Sequence, residues 1–250
     1  ALEEAVQASL RAFLVREVQP FLTWYIRKAQ DADTAAILRG IVEKTSGRFH
    51  NTYLDALQRT KEDDPHGERA FSSMVQMLHR QIELVRGKGH EPKQISTDFV
   101  ELFHQAVGAH KLLQEFSGQV AVSSGGKVVT LDHSGQRVPM KQFWRALEKA
   151  VYAPKSSGSG ELEVDRIIDI ARDAIEFKDY GSMERAIEVV CTSDIVDIVR
   201  IKDRISSMDK ATALGWTDIV ITVDFRADPH QHLCELQLFH ETSKKCRSSL

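Results

Sequence analysis

A change of period halfway along the chain constrains its fold more than any other feature. Up to about residue 117 the apolar residues recur at helical spacing; after Gly118 they alternate in short runs broken by glycine and serine. Within residues 2–28, Leu2, Val6, Leu10, Phe13, Leu14, Val18, Phe21, Leu22 and Tyr25 share a stripe that Pro20 should kink or split. A second stripe, about 33–61, carries Ile37, Ile41, Phe49, Tyr53, Leu54 and Leu57. A third, about 66–86, carries Phe71, Met74, Val75, Leu78, Ile82 and Val85 and stops at Gly87 and Gly89. Ser96 is the expected N-cap of a fourth, with Phe99, Leu102, Phe103, Val107 and Leu112 on its apolar side. Residues 1–117 therefore read as an antiparallel helical bundle.

Beyond Gly118, Gln119–Ser123 and Lys127–Leu131 flank Ser124, Gly125 and Gly126, a hairpin signal. An amphipathic helix is expected from about Pro139 to Tyr152, followed by a serine- and glycine-rich loop over 154–160. The pattern then predicts a strand near 171–177, a helix near 182–191, and strands near 195–202, 217–225 and 233–239. The last three are sequential and joined by short loops, which predicts antiparallel pairing. The expected class is α+β: an N-terminal helical bundle (1–117), then a mixed, mainly antiparallel sheet flanked by helices (118–250).

Composition narrows the partners. A formal net charge of -3 gives no global basic field, so DNA is not expected and any phosphate site has to be a local cluster. No apolar run reaches the roughly 18 residues of a membrane span. Cys191, Cys234 and Cys246 show no C-x-x-C spacing, which argues against a zinc site or disulfide framework and favours a reducing, cytoplasmic setting. The chain starts at Ala1 with neither a Met nor a signal-peptide pattern, and reads as a piece of something longer.

Local charge clusters carry the chemistry. In a strand, Arg200, Lys202 and Arg204 fall on one face and Val199 and Ile201 on the other. Three cations on one face repel unless an anion sits among them; the alternative is a solvated basic stripe. In the last strand Glu235 and Gln237 share a face with Phe239, opposite Cys234, Leu236 and Leu238. A carboxylate there needs a cation, a metal or solvent. Asp169 lies between Ile168 and Ile170 just before a strand, with Arg172 three residues on. Two acids converging from different strands suit Mg²⁺, which takes carboxylate oxygen together with substrate phosphate. The alternative is that Asp169 caps a turn and pairs with Arg172. Lys141, Arg145 and Lys149 at i, i+4 and i+8 share one helical face, above an apolar side of Phe143, Trp144, Leu147 and Val151.

The order of these clusters resembles the RelA/SpoT-like nucleotidyltransferase domain over about residues 138–245, in its divergent branch with Arg-x-Lys-x-Arg and Gly-Trp/Tyr-x-Asp. The run Lys141–Ala150 looks like the family's first basic motif, which contacts donor phosphates. Asp169 and Arg172 look like its strand-leading, Mg²⁺-holding Asp and the Arg that follows. Gly215, Trp216, Thr217 and Asp218 occupy the place of its Gly-Tyr-x-Ser segment, whose aromatic stacks on the acceptor base. Glu235 and Gln237 match the Glu-x-Gln of its closing motif, where the Glu assists the metal or the acceptor hydroxyl. The chain departs from the family at Asp218 (for Ser), Val220 (for His) and Phe239-His240 (for Arg-Thr). No His-Asp dipeptide occurs, so the family's hydrolase half is absent.

The resemblance implies Mg²⁺-dependent transfer of a pyrophosphate from ATP to a nucleotide acceptor. It casts Asp169 and Glu235 as metal-binding and catalytic residues. Lys141, Arg145, Lys149, Arg172, Arg200, Lys202, Arg204, Trp216 and Gln237 become nucleotide-binding residues. The alternative is a catalytically inactive module of a larger protein that binds a nucleotide as a sensor, or acts as a scaffold whose helical half recognises a protein partner. Under either reading Arg200 and Lys202 should face the same cleft as Glu235, and Trp216 should stand partly exposed at its mouth or pack against the N-terminal helices.

Overall fold

Five strands in the order β1-β2-β5-β4-β3 form one mixed sheet in the computed structural model, which describes residues 16, 51–130, 137–152, 163–206 and 216–248. The helices expected over 2–28 and 33–50 lie outside the described residues, residue 16 excepted. Residues 51–63 are helical, followed by α1 (Pro65–Arg86), α2 (Phe99–Ser124), β1 (Lys127–Val128) and α3 (Phe143–Tyr152). Then come β2 (Ala171–Phe177), α4 (Tyr180–Thr192), β3 (Val196–Asp203), β4 (Ile219–Phe225), β5 (Cys234–His240) and α5 (Glu241–Ser248). The last three strands pair antiparallel as expected, while β2 lies parallel to β5 and β1 antiparallel to β2. The fold is α+β.

The alternation of the strands decides which face is covered. Ile175 and Phe177 of β2, Cys234, Leu236 and Leu238 of β5, and Ile219, Ile221, Val223 and Phe225 of β4 point to one face and are almost fully buried. Helices α1, α2 and α4 cover that face: Phe116 of α2 meets Phe225 edge-on, and Tyr180 of α4 lies between Phe71 of α1 and His240. Helical and sheet halves thus share one core. A carboxylate sits in it. The Asp173 carboxylate, on the covered face of β2, accepts from Ser117 of α2 and from the Arg137 guanidinium. A buried carboxylate persists only when paired in this way.

Two local expectations are corrected. The hairpin expected around Ser124 does not form: residues 119–123 continue α2 to Ser124. Phe116, Val120, Ala121 and Ser124 extend the buried stripe of Ala109 and Leu113 at helical spacing, and burial against the sheet overrides the β-branched run. Gly125, at φ +79°, is the left-handed C-cap, and Gly126 then runs so close to β2 that a Cβ would sit 2.4 Å from the Phe177 ring. The N-cap of α2 is Asp98 rather than Ser96. The Asp98 carboxylate accepts from the N–H groups of Val100 and Glu101, while the Ser96 hydroxyl accepts from Asp98 N–H and donates to Glu101. A carboxylate at that end also meets the positive pole of the helix.

Candidate functional site

The second face of the sheet carries the charged residues. Register places Arg172, Glu235, Thr222 and Arg200 in one row across β2, β5, β4 and β3. The next row holds Ala174, Gln237, Val220 and Lys202. Arg200 and Lys202 do face the same side as Glu235, and Arg200 reaches it at 3.5 Å. A β-bulge between Ile198 and Arg200 sets the cationic residues onto this face.

Glu235 is 7% exposed. Burial pushes its carboxyl above the ordinary value, and the charge of Asp169 adds to this; Lys149, Lys202 and Arg200 offset only part. Thr222 beside it is fully buried, yet its hydroxyl has no hydrogen-bond partner among the described residues, and neither do the Nε atoms of Arg172 and Arg200. Buried polar groups normally find partners, so three such atoms in one row mark a surface that expects polar company. Lys202 has an exposed side chain, but partial burial of its ammonium, together with Arg200 and Arg204, lowers its pKa.

Asp169 is held by both lysines of the expected basic motif. Lys141 Nζ lies 2.7 Å from Oδ2 and Lys149 Nζ 2.9 Å from Oδ1. Burial pushes the Asp169 carboxyl up, but Lys149 and Lys141 outweigh it, and its pKa lies below the ordinary value. Arg172 is not its partner. The helix begins at Phe143, later than expected, so Lys141 precedes it on an extended lead-in whose N–H donates to Ile170 O at 2.9 Å. Arg145 does not join the pair of lysines on Asp169: its exposed guanidinium pairs with Glu148 one turn on.

The third cation of the stripe is also taken. Arg204 follows β3 and pairs with Asp218 at 2.8 Å, and Trp216 Nε1–H donates to the same carboxylate at 3.1 Å. Asp218 is fully buried, and burial pushes its carboxyl up against the pull of Arg204 and Trp216. The Trp216 ring, half-exposed, packs on Phe239 at 5.2 Å and edge-on to Tyr53 at 6.1 Å. Trp216 is thus partly exposed and packs against the helical half through Tyr53.

Sequence reading missed three contributors. Thr222 reads as one more β-branched strand residue. Glu91 and Gln94 belong to the aperiodic connector between α1 and α2: Glu91 reaches Arg200 at 3.5 Å, and Gln94 is buried against the ends of β2 and β5. No pattern in the sequence separates these two from ordinary loop residues.

Among the described residues no group of three or more His, Cys, Asp or Glu is arranged to hold a metal ion. Mg²⁺ commonly takes only one or two carboxylates, with water and phosphate completing its shell. Asp169 and Glu235 are both hard oxygen donors, and the charge of Asp169 helps to raise the Glu235 pKa; both Asp169 oxygens are held by Lys141 and Lys149.

No protein-family model matches the chain, and no curated protein matches it. Among solved structures it is similar to the small alarmone synthetase 1 of Bacillus subtilis, bound to its product pppGpp. The identity is 17% and the TM-score 0.41, over 60% of this chain and 76% of that one.

Proposed function

We propose that this second face of the sheet is a nucleotide site for Mg²⁺-dependent pyrophosphate transfer from ATP to a nucleotide acceptor. The observation that carries this reading is the row Arg172–Glu235–Thr222–Arg200, a buried carboxylate between two guanidiniums, with Lys202 and the Asp169–lysine cluster beside it. Cations on both sides of a carboxylate suit a polyphosphate lying across the strands, and catalysis of this kind is mainly positioning and charge neutralisation. Lys202 and Arg172 take the donor phosphates; Lys141 and Lys149 exchange Asp169 for phosphate oxygens as the donor enters. Asp169 and Glu235 are the residues that would hold Mg²⁺, which would neutralise the charge that develops on those oxygens. The acceptor hydroxyl oxygen bonds to the β-phosphorus, the bond from that phosphorus to the α,β-bridging oxygen breaks, and AMP leaves. As the alternative to holding the metal, Glu235 would receive the hydroxyl proton as general base.

One observation favours a second reading, a nucleotide-binding module without turnover. Asp218 locks Arg204 and Trp216 into a fixed network, and the ring lies on Phe239 and Tyr53 rather than standing free for a base. The two readings share the binding row and differ in chemistry. Equilibrium ATP affinity of wild type, Lys202→Ala and Arg172→Ala, with and without Mg²⁺, tests what they share. Each substitution should weaken binding about tenfold, the order of one charge-assisted hydrogen bond. Unchanged affinity in both variants would remove the site.

A further inference from the structure

The connector between α1 and α2 touches the candidate site through one buried side chain. Gln94 is 4% exposed. Its Oε1 accepts from Leu233 N–H at 2.9 Å, and its Nε2 donates to Leu233 O at 3.2 Å and to Ile167 O at 3.3 Å. Its own N–H donates to Asp165 O at 2.7 Å, and Lys93 beside it pairs with the Asp165 carboxylate at 2.7 Å. Leu233 lies two residues before Glu235, and Ile167 two residues before Asp169. The two segments arrive at the sheet from different parts of the chain, and their side chains Ile168 and Leu233, with Val199, form a small cluster apart from the main core.

We infer that Gln94 is a positioning residue for the proposed transfer: by bonding both lead-in segments at once, its amide sets the separation of Asp169 and Glu235. This rests on the nucleotide reading above. An amide suits the task because it donates and accepts at a fixed angle. It completes the edge hydrogen bonds of Leu233 in the manner of a neighbouring strand, with a donor left for Ile167. The contribution is geometric, since Gln94 lies beneath the segments and is too buried to meet a substrate.

Gln94→Met removes the amide at nearly constant length; Gln94→Asn keeps the amide but shortens the reach, and serves if the Met variant does not fold. Ser96→Ala, which removes bonds to Asp98 and Glu101 on the same connector without touching the sheet, is the control for lost stability. Two quantities are measured: backbone amide exchange over 167–170 and 233–236, and ATP affinity with and without Mg²⁺. In the Gln94 variants exchange should rise in both segments together. The affinity that Mg²⁺ adds should fall about tenfold or more, the usual effect of losing a group that orients metal-binding residues. Metal-free ATP affinity should stay within about twofold, since the cations that carry it stand on β2 and β3. Ser96→Ala should lower the melting temperature and move neither quantity. Wild-type exchange in both segments, or a rise in one alone, would overturn the role of Gln94. A wild type that binds ATP but gains no affinity from Mg²⁺ would instead overturn the Mg²⁺-dependent transfer and the role of Gln94 within it. The exchange data would then still report whether Gln94 ties the two segments.

Discussion

Asp169→Asn separates the structural and chemical parts of the site, because it keeps shape and one acceptor oxygen while removing the charge. In the wild type two lysines hold that carboxylate. Lys141 is 14% exposed and Asp169 13%, so this pair is partly buried; breaking a buried pair costs about 3–5 kcal/mol when the partner is left uncompensated. The remaining Asn oxygen still accepts from Lys141, which places the loss below that range. Lys149 is 40% exposed, and solvent screening limits its pair to about 0.2–1 kcal/mol. Together the loss is about 2–3 kcal/mol. For a chain of this size each kcal/mol moves the midpoint by about 2–4 °C, so Tm should fall by about 4–12 °C at pH 7. The pH dependence has a definite sign. The folded-state pKa of Asp169 is depressed, so its stabilisation is fully present above the ordinary value of 3.8 and is lost as pH falls through the lower folded value. Thermal unfolding of both proteins from pH 7 to pH 3 checks this. The gap should be widest at pH 7 and close on acidification. Equal midpoints at pH 7, or a gap that widens in acid, would refute the ion-pair account of Asp169.

Other consequences are as specific. Glu235→Gln removes a buried carboxylate whose pKa is raised, so the variant should melt above wild type at neutral pH; this advantage should vanish as pH falls below the ordinary carboxylate range. A variant less stable than wild type at pH 7 would contradict the assignment of Glu235 as poorly compensated. Phe71→Ala, in the fully buried contact of α1 with Tyr180, should cost about 3–5 kcal/mol in denaturant unfolding, and a loss under about 1 kcal/mol would mean that α1 is not part of the core. Nucleotide should quench the fluorescence of wild type more than that of Trp216→Phe, if a base reaches the exposed edge of the ring; identical quenching would leave Trp216 a packing residue.

The sheet was legible because its strands alternate cleanly: the 171–177 strand lies where the pattern puts it, and the three later strands lie within a residue or two. Face assignment followed from the same period, which is why Arg200, Lys202 and Glu235 could be placed together from sequence. Legibility failed where tertiary burial decided the outcome. Residues 119–123 have strand-forming side chains, yet Val120 and Ala121 continue the buried stripe of α2. The face shared by Lys141, Arg145 and Lys149 presumed a helix that starts four residues before the observed one, and Arg145 pairs with Glu148 while the two lysines reach Asp169. Gln94 and Glu91 act through long-range contacts from an irregular connector, and periodicity carries no information there.

Product formation tests the central proposal most directly. The chain is incubated with ATP, Mg²⁺ and a panel of nucleotide acceptors, and the products are separated by chromatography, with Glu235→Gln and Asp169→Asn run beside it. AMP and an acceptor heavier by a pyrophosphate should appear together in equal amounts with wild type. Both variants should lose turnover by orders of magnitude, because the charge stabilisation at stake is several kcal/mol and each 1.36 kcal/mol is about tenfold. A wild type that binds ATP equally well with and without Mg²⁺ and forms neither product would contradict the transfer chemistry.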